Sequence, residues 1–413
     1  MNVLVIDVGT TNFKIYVIDE NGNPLSVFKS RELAYDKLKN SIELIKNFSS
    51  NAQAIAVTGQ SFVPIFLDKD EKIIKPVISY LDERSAIGYS DLKRKVKKPG
   101  YVATKLYSSL LWFKQNKPKT FKSIMKVFDI KEYMGFLLTG KHVYDSIELS
   151  DLEKRAILRE LELNEEILGE PHDYTKPIGE FEGKPVYVMP SDTRTELFGS
   201  GLLSYENSAA DIGGTTEVLG LLLKPNYDLE PIQPILFNLP FYFESPPFGY
   251  LYNWIQKIKN CNNLLTAEMI VCKFKRSKQL WKIRFNIVKA ELFATESLLE
   301  DKILLTIAAE VSLILKKFES KGASVKKLLV SGGSSVNQNL NQLKSDLTQK
   351  EVLVPLVKDT TALGSAVLLF TLNGKYNDLF DASQNLFKVK ERYQPKNNYD
   401  SFFKKYVYLK NRF

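Results

Sequence analysis

An α/β fold in two related halves is the architecture this sequence predicts, and three observations predict it. One pattern occurs twice, as VLVIDVGTTNFKIYVID at the start and as AADIGGTTEVLGLLL near the middle. After each copy, short apolar runs alternate with longer segments whose apolar residues recur at three- and four-residue spacing, as expected of strands connected by helices. With 413 residues and 44% hydrophobic content, the chain is long enough to bury more than one core. The division is expected near residue 204, giving domains 1–203 and 204–413.

Both copies read as β-hairpins. The first has Val3 to Ile6, Asp7, the turn Gly9-Thr10-Thr11 and Ile15 to Ile18; the second has Asp211, the turn Gly213 to Thr216 and Val218 to Leu223. Glycines let a ligand approach the backbone, while threonine hydroxyls and consecutive N–H groups form a concave donor array suited to phosphate oxygens. A single such turn would pass for an ordinary hairpin, and the repetition is what favours a binding role.

Between the hairpins, the turn ENGNP precedes a helix near Leu33 to Phe48 and the strand AQAIAVTGQ. FVPIFLDKDEKIIKPVISYLD reads as two strands around DKDEK, and residues 100–138 as mostly helical, through SSLLWFKQN and KEYMGFLLTG. The strand KPVYVMP leads into PSDTRTE and a helix start. The second half continues with an amphipathic helix over Leu304 to Phe318, the strand KKLLVSGG, a helix from about Asn337 to Thr348, the strand VLVPLV and a helix from about Thr361. Parallel central pairing with hairpins at the sheet edges is expected.

Composition excludes several classes. The net charge of +9 is dispersed, with clusters only at LKRKVKK (92–98) and CKFKRSK (272–278), which read as solvated faces; no basic stripe with interleaved aromatics points to nucleic acid. Cys261 and Cys272 give no disulfide framework, and with only His142 and His172 besides, neither a zinc site nor a His-dependent triad is expected. No apolar stretch reaches membrane-spanning length and the chain opens on a strand, so a soluble, cytoplasmic protein without membrane partners is expected.

Eight blocks in order, DVGTTNFK, TGQS with YLDERS, ATKLYSSLLWFKQNKP, FDIKEYMGFLLTGKHVYDS, PSDTRTELFG, DIGGTTEV, LLVSGGSSVNQNLNQLKSDL and DTTALGSAVLL, resemble the FGGY carbohydrate kinases. The resemblance implies two related actin-like (ribonuclease H-like) domains with a central cleft, using ATP and Mg²⁺. The N-terminal domain would carry the acceptor site, the first phosphate loop and the catalytic Asp; the C-terminal domain would carry the second phosphate loop and the adenosine site.

Phosphoryl transfer needs a positioned hydroxyl, a base and cationic or donor groups around the phosphates. By resemblance, Asp7 helps hold Mg²⁺ through water, Gly9, Thr10, Thr11 and Asn12 form the first phosphate loop, and Lys14 places a charge near the transferring group. Gly213, Gly214, Thr215 and Thr216 form the second loop; the residues before that Gly pair depart from the family's usual ones, which leaves Asp211 without a clear role. Asp192 is the expected general base, at a strand end before TELFG, although Pro190-Ser191 stands where the family usually has glycines. From residues alone Asp192 reads as a helix cap. Gly332, Gly333 and Asn337 border the adenosine, with a small-residue helix from DTTALGSA nearby.

Gln60, Asp82 and Arg84 fall in blocks that line the family's acceptor pocket. The Arg-Glu that follows this Gln in glycerol kinases and the Met-His of xylulose kinases are both replaced by Ser61-Phe62, so the pocket is atypical, and a pentulose-like acceptor is favoured over glycerol. The expected activity is ATP-dependent phosphorylation of a small sugar or polyol hydroxyl, with a homodimer left open. The alternative is a non-catalytic ATP-binding switch on the same fold.

Overall fold

The structure is a computed structural model that describes residues 1–413 except 10–11, 32–34, 61, 80–81, 215–216, 250–264, 278–279, 293–295 and 413, with the backbone alone at 36, 86 and within 265–300. The chain forms two compact units, one of residues 1–199 with 361–386 and the other of residues 200–360 with 387–413.

The first unit is built on a six-stranded sheet in the order β3-β2-β1-β4-β10-β9. Its strands are β1 (Asn2–Val8), β2 (Asn12–Asp19), β3 (Pro24–Arg31), β4 (Ala54–Gly59), β9 (Gly179–Phe181) and β10 (Lys184–Val188). The centre, β1, β4 and β10, is parallel, and antiparallel hairpins close both edges. This follows from the sequence: β4 is buried at every residue and β1 nearly so, as near-continuous apolar runs must be, whereas edge strand β3 alternates between exposed and half-buried residues.

Helix α1 (Ile42–Ser49) leads into β4, and α5 (Ile130–Thr139) packs on β4 and β10 through a core that includes Ile6, Val57, Tyr133 and Met134. A second core gathers α2 (Tyr89–Lys95), α3 (Tyr101–Asn116), α4 (Pro118–Phe121) and α6 (Asp151–Leu161) around Leu92, Leu110, Phe113 and Ile157. Two small strand pairs, β5 (Ile65–Leu67) with β6 (Lys126–Phe128) and β7 (Val143–Asp145) with β8 (Glu170–His172), tie this part together. Helix α7 (Asp192–Gly199) follows β10.

The second unit repeats the plan. Its six-stranded sheet runs β13-β12-β11-β16-β17-β18, from β11 (Ser208–Gly213), β12 (Val218–Leu222), β13 (Phe241–Glu244), β16 (Lys327–Gly332), β17 (Glu351–Pro355) and β18 (Val389–Tyr393). Again the first strand of the repeated motif pairs antiparallel with the second and parallel with a later strand. The helices Glu296–Ser320 and Gln338–Thr348 contribute to its core, with Ala308, Val311, Leu340, Leu328 and Val330. A separate two-stranded ribbon joins β14 (Leu265–Ser277) to β15 (Leu280–Leu292).

Most expected elements form among the described residues, with some differences; the helix expected near Leu33 to Phe48, for one, is a 3₁₀ segment over Tyr35–Ser41 running into α1. The helix expected over Leu304 to Phe318 extends over Glu296–Ser320. The segment after DKDEK makes only an isolated bridge from Ile73 to Leu67, since Pro76 has no N–H to continue a ladder. The division falls at Gly199/Ser200, and residues 361–386 return to the first unit because the small-residue helix Thr360–Leu372 comes close to α7. A Cβ at Gly364 would lie 2.0 Å from the carbonyl of Thr195 and 2.9 Å from the Gly199 nitrogen. The ribbon, β3, β18 and the helices Leu379–Leu386 and Asp400–Arg412 were not anticipated. Of the two basic clusters, Lys93, Arg94, Lys95, Lys97 and Lys98 are exposed as expected, while the side chains of 272–278 lie outside the described residues.

Gly364→Val should lower the melting temperature by several degrees, from a cost of about 1–3 kcal/mol for overpacking against rigid backbone. An unchanged melting curve would show that the two helices separate without cost.

Candidate active site

The carboxyl edge of the first sheet collects the chemistry-bearing residues. Register places Asp7 of β1 opposite Thr58 of β4 and Val8 opposite Gly59, while Val57 lies beside Val188 of β10. The residues at the ends of three adjacent parallel strands therefore emerge together, the usual place for ligands in open α/β sheets. Gln60 follows β4 directly and donates its N–H to the Val8 carbonyl at 3.0 Å.

Asp192 is fixed on this edge by its neighbours. The Pro190 carbonyl accepts the Thr58 hydroxyl at 2.7 Å and the Thr195 hydroxyl at 2.8 Å, pinning the chain between β10 and α7. The Ser191 carbonyl then accepts the N–H groups of Arg194 and Thr195, and Asp192 is the first residue of α7. Its Oδ1 takes the Thr193 N–H at 2.7 Å and the Thr193 hydroxyl at 3.3 Å. Burial and the charge of Asp7 push the Asp192 carboxyl up to about 7, outweighing the Thr193 hydrogen bonds and the charge of Lys14.

Asp7 is buried and its Oδ2 accepts from Lys14 Nζ at 3.1 Å, across the register pair Asp7–Lys14 of the hairpin. Gly9 donates its N–H to the Asn12 carbonyl at 3.1 Å, and a Cβ there would meet that carbonyl at 3.0 Å. Thr10 and Thr11 lie outside the described residues. The edge thus offers two carboxylates, of which Asp7 raises Asp192, one ammonium and a tight backbone turn.

In the second unit, Gly213 and Gly332 are register partners, and a Cβ on Gly213 would lie 1.9 Å from the Ser334 hydroxyl. Gly332 has φ +75°, and Gly333 opens a short 3₁₀ turn. Asn337 caps the following helix, its Oδ1 accepting the Leu340 N–H at 3.0 Å, so one of that helix's N-terminal donors is satisfied internally. Gly214 follows β11, and Thr215 and Thr216 lie outside the described residues.

The structure gives Asp211 a place the sequence left open. Lys344 Nζ lies 2.7 Å from Asp211 and 2.8 Å from Glu217, all three buried. Burial and the Glu217 charge raise Asp211 well above the carboxylate range, while Lys344 holds Glu217 below it against burial. This triad ties the second hairpin to the helix Gln338–Thr348 and leaves the Asp211 carboxylate engaged there.

The acceptor-block residues have different partners. Gln60 is buried; its Nε2 donates to the Tyr35 hydroxyl at 3.1 Å, and its Oε1 has no hydrogen-bond partner among the described residues. Asp82 and Arg84 pair with each other, Asp82 accepting the Arg84 N–H and Nε at 2.9 Å, and the guanidinium lies over the Trp112 ring at 4.8 Å. That pairing holds Asp82 below its ordinary range.

Sequence reasoning missed a buried charge network beside α7. Lys131 pairs with Glu132 and, at 3.0 Å, with Asp145; His172 contacts Glu132 at 3.3 Å; and Arg194 Nε lies 2.6 Å from Glu148. Burial raises Glu148 to about 7 despite Arg194. Only the presence of charges inside apolar blocks such as FDIKEYM and HVYDSIE signalled it. The adjoining cavity, lined by Phe62, Asp129, Lys131, Glu132, Asp145 and others, measures about 30 Å³, far below the several hundred Å³ of a sugar pocket.

A carboxylate raised to about 7 gives a testable pH signature. Between its unfolded value near 4 and about 7, the folded protein holds a proton that the unfolded chain has lost, so this group's contribution to stability declines as pH rises through that window. Asp192→Asn lacks the decline and should gain stability relative to the parent between pH 5 and pH 8, read as a growing difference in melting temperature. A pH-independent difference would contradict the raised value.

Comparison with known proteins identifies the family. The sequence model described as the FGGY family of carbohydrate kinases, N-terminal domain, matches residues 35–155, and its C-terminal counterpart matches residues 302–372. Glycerol kinase of Thermococcus gammatolerans is 25% identical over 464 aligned residues, covering 95% of this chain and 93% of its own. Ligand-bound xylulose kinase from Lactobacillus acidophilus superposes with a TM-score of 0.74 at 17% identity, covering 100% of this chain and 98% of that one. Plasmodium falciparum glycerol kinase with ADP gives 0.73 at 18% identity, covering 100% and 97%. Two domains of actin-like fold, each with the same sheet plan, fit these likenesses: the chain belongs to the FGGY family of carbohydrate kinases and is a sugar or polyol phosphotransferase.

Proposed function

We propose that this kinase transfers the γ-phosphoryl group of ATP to a hydroxyl of a small sugar or polyol, of pentulose type rather than glycerol, with Asp192 as the general base. The observation that carries the reading is the placement of Asp192 beside Asp7 and Lys14 on the carboxyl edge of β1, β4 and β10. A base held near neutrality takes a hydroxyl proton at working pH and is ionised often enough to do so.

The 9–12 turn, with Thr10 and Thr11, contributes donors to the phosphates, and Lys14 stabilises charge on the transferring group. In the second unit, Gly213, Gly214, Thr215 and Thr216 serve the phosphates similarly, and Gly332, Gly333 and Asn337 border the adenosine. Mg²⁺ fits at Asp7: two carboxylates that resist joint ionisation gain from a cation, and among the described residues no cluster of three or more His, Cys, Asp and Glu would bind one on its own. Asp7 would hold the ion together with water and phosphate, and the ion would supply charge neutralisation of the phosphate oxygens.

Acceptor recognition rests on Gln60, whose unpartnered Oε1 is a buried acceptor suited to a ligand hydroxyl, and on Asp82 and Arg84, which must exchange part of their mutual pairing for substrate. Ser61-Phe62 in place of the Arg-Glu of glycerol kinases supports a larger, less polar-gripped acceptor than glycerol.

The test is ADP release with MgATP against glycerol, tetritols, pentuloses, pentitols and hexoses. One acceptor should raise turnover well above background, and Asp192→Asn should lower that turnover by at least about a hundredfold with ATP binding retained. Near-normal turnover of Asp192→Asn removes it from the role, and ATP binding without any acceptor-dependent turnover contradicts the acceptor class. With the identified acceptor, Gln60→Leu should raise KM about tenfold or more, for a lost buried hydrogen bond; an unchanged KM would take Gln60 out of the pocket.

A further inference from the structure

The first turn of α7 is held from a second side. Arg194, two residues after Asp192, pairs with Glu148 at 2.6 Å, and their side chains are only 13% and 9% exposed. Glu148 is stiffly presented. The Asp145 Oδ1 accepts the N–H groups of Ile147 and Glu148 at 3.0 and 2.9 Å, and the Asp145 carbonyl accepts that of Leu149 at 3.1 Å. The next residues form the Ser150–Glu153 capping box that starts α6. Asp145 is fixed in turn by Lys131 at 3.0 Å and by the Tyr174 hydroxyl.

We infer that the largely enclosed Arg194–Glu148 pair is a positioning device for Asp192, anchoring the first turn of α7 to the 145–150 turn so that the carboxylate keeps its direction toward the acceptor hydroxyl. The inference rests on the proposed role of Asp192. Helix first turns carry N–H groups without intrahelical partners and are the part of a helix most open to displacement. Pinning at Pro190 fixes where the chain enters α7; the Arg194 pair fixes the rotation of the turn that follows. A buried ion pair adds little net stability over well-packed apolar side chains of similar volume, so stability alone gives weak reason for charges here. Misplacement by about 1 Å can cost on the order of a hundredfold in rate, which gives orientation a strong one. The charges facing Glu148 are Arg194 of α7, Asp145 of β7 and Lys131 and Glu132 of α5, with Tyr174 beside them, so the Arg194 charge is balanced within the network.

The test replaces both partners at once, as Arg194→Met with Glu148→Met, which leaves no buried charge unpaired. Hydrogen exchange of the 190–199 peptide should speed up while peptides from β1 and β4 are unchanged. With glycerol and D-xylulose as acceptors, kcat should fall about ten- to a hundredfold with MgATP affinity and acceptor KM unchanged, and Arg194→Lys should recover part of the loss. Unchanged exchange in 190–199, or parental kcat in the double variant, overturns the inference. Exchange decides the anchoring even if the parent protein turns over neither acceptor; that outcome instead counts against the proposed function.

Discussion

The apposition of two carboxylates, Asp7 and Asp192, on the carboxyl edge of the parallel centre of one sheet is the constraint on which the site depends. Neither the strand ends nor the hairpin would bring unlike chain segments together without the register of β1, β4 and β10, which sets Asp7 against Thr58 and, through the Thr58 hydroxyl, against Pro190. Once there, the pair is electrostatically unfavourable by design of its position: burial and like charge raise Asp192, while Lys14 compensates Asp7. Carboxylates perturbed by burial and a like charge cluster at functional sites.

The duplicated motif has two fates. Both copies form the first hairpin of a six-stranded sheet whose first four strands run in the same order, and both place an Asp in the first strand. Both are buried, but Asp7 pairs with a lysine on its own hairpin, whereas Asp211 is gathered with Glu217 around Lys344 of a later helix. One copy holds its carboxylate against a lysine of its own hairpin; the other ties the hairpin to the helix behind. The glycine turn is common to both, and in the second unit it is packed so tightly that Gly213 has no room for a side chain against Ser334.

Much of this was legible in the sequence because it is written locally. Apolar runs with β-branched residues mark β1, β4, β11 and β16, and the Asp-Gly-Thr turns mark the hairpins. The placement of Asp192 could be read from PSDTRTELFG only through its family likeness, since its residues alone suit a helix cap equally well. The return of 361–386 to the first unit depends on a close helix contact at Gly364, and the Arg194–Glu148 and Lys344 networks join residues 46 to 133 positions apart. No periodicity reports such pairings, because they are set by tertiary packing of elements that are each locally unremarkable.

The most direct measurement is a carbon-13 NMR titration of the Asp192 carboxyl in the metal-free protein, run beside Asp7→Asn. The account predicts a midpoint near 7 in the parent and a clearly lower one in Asp7→Asn, because the largest neighbouring charge is then gone. A parent midpoint in the ordinary range near 4, unmoved by Asp7→Asn, would contradict the apposition and with it the reading of this edge as the centre of the site.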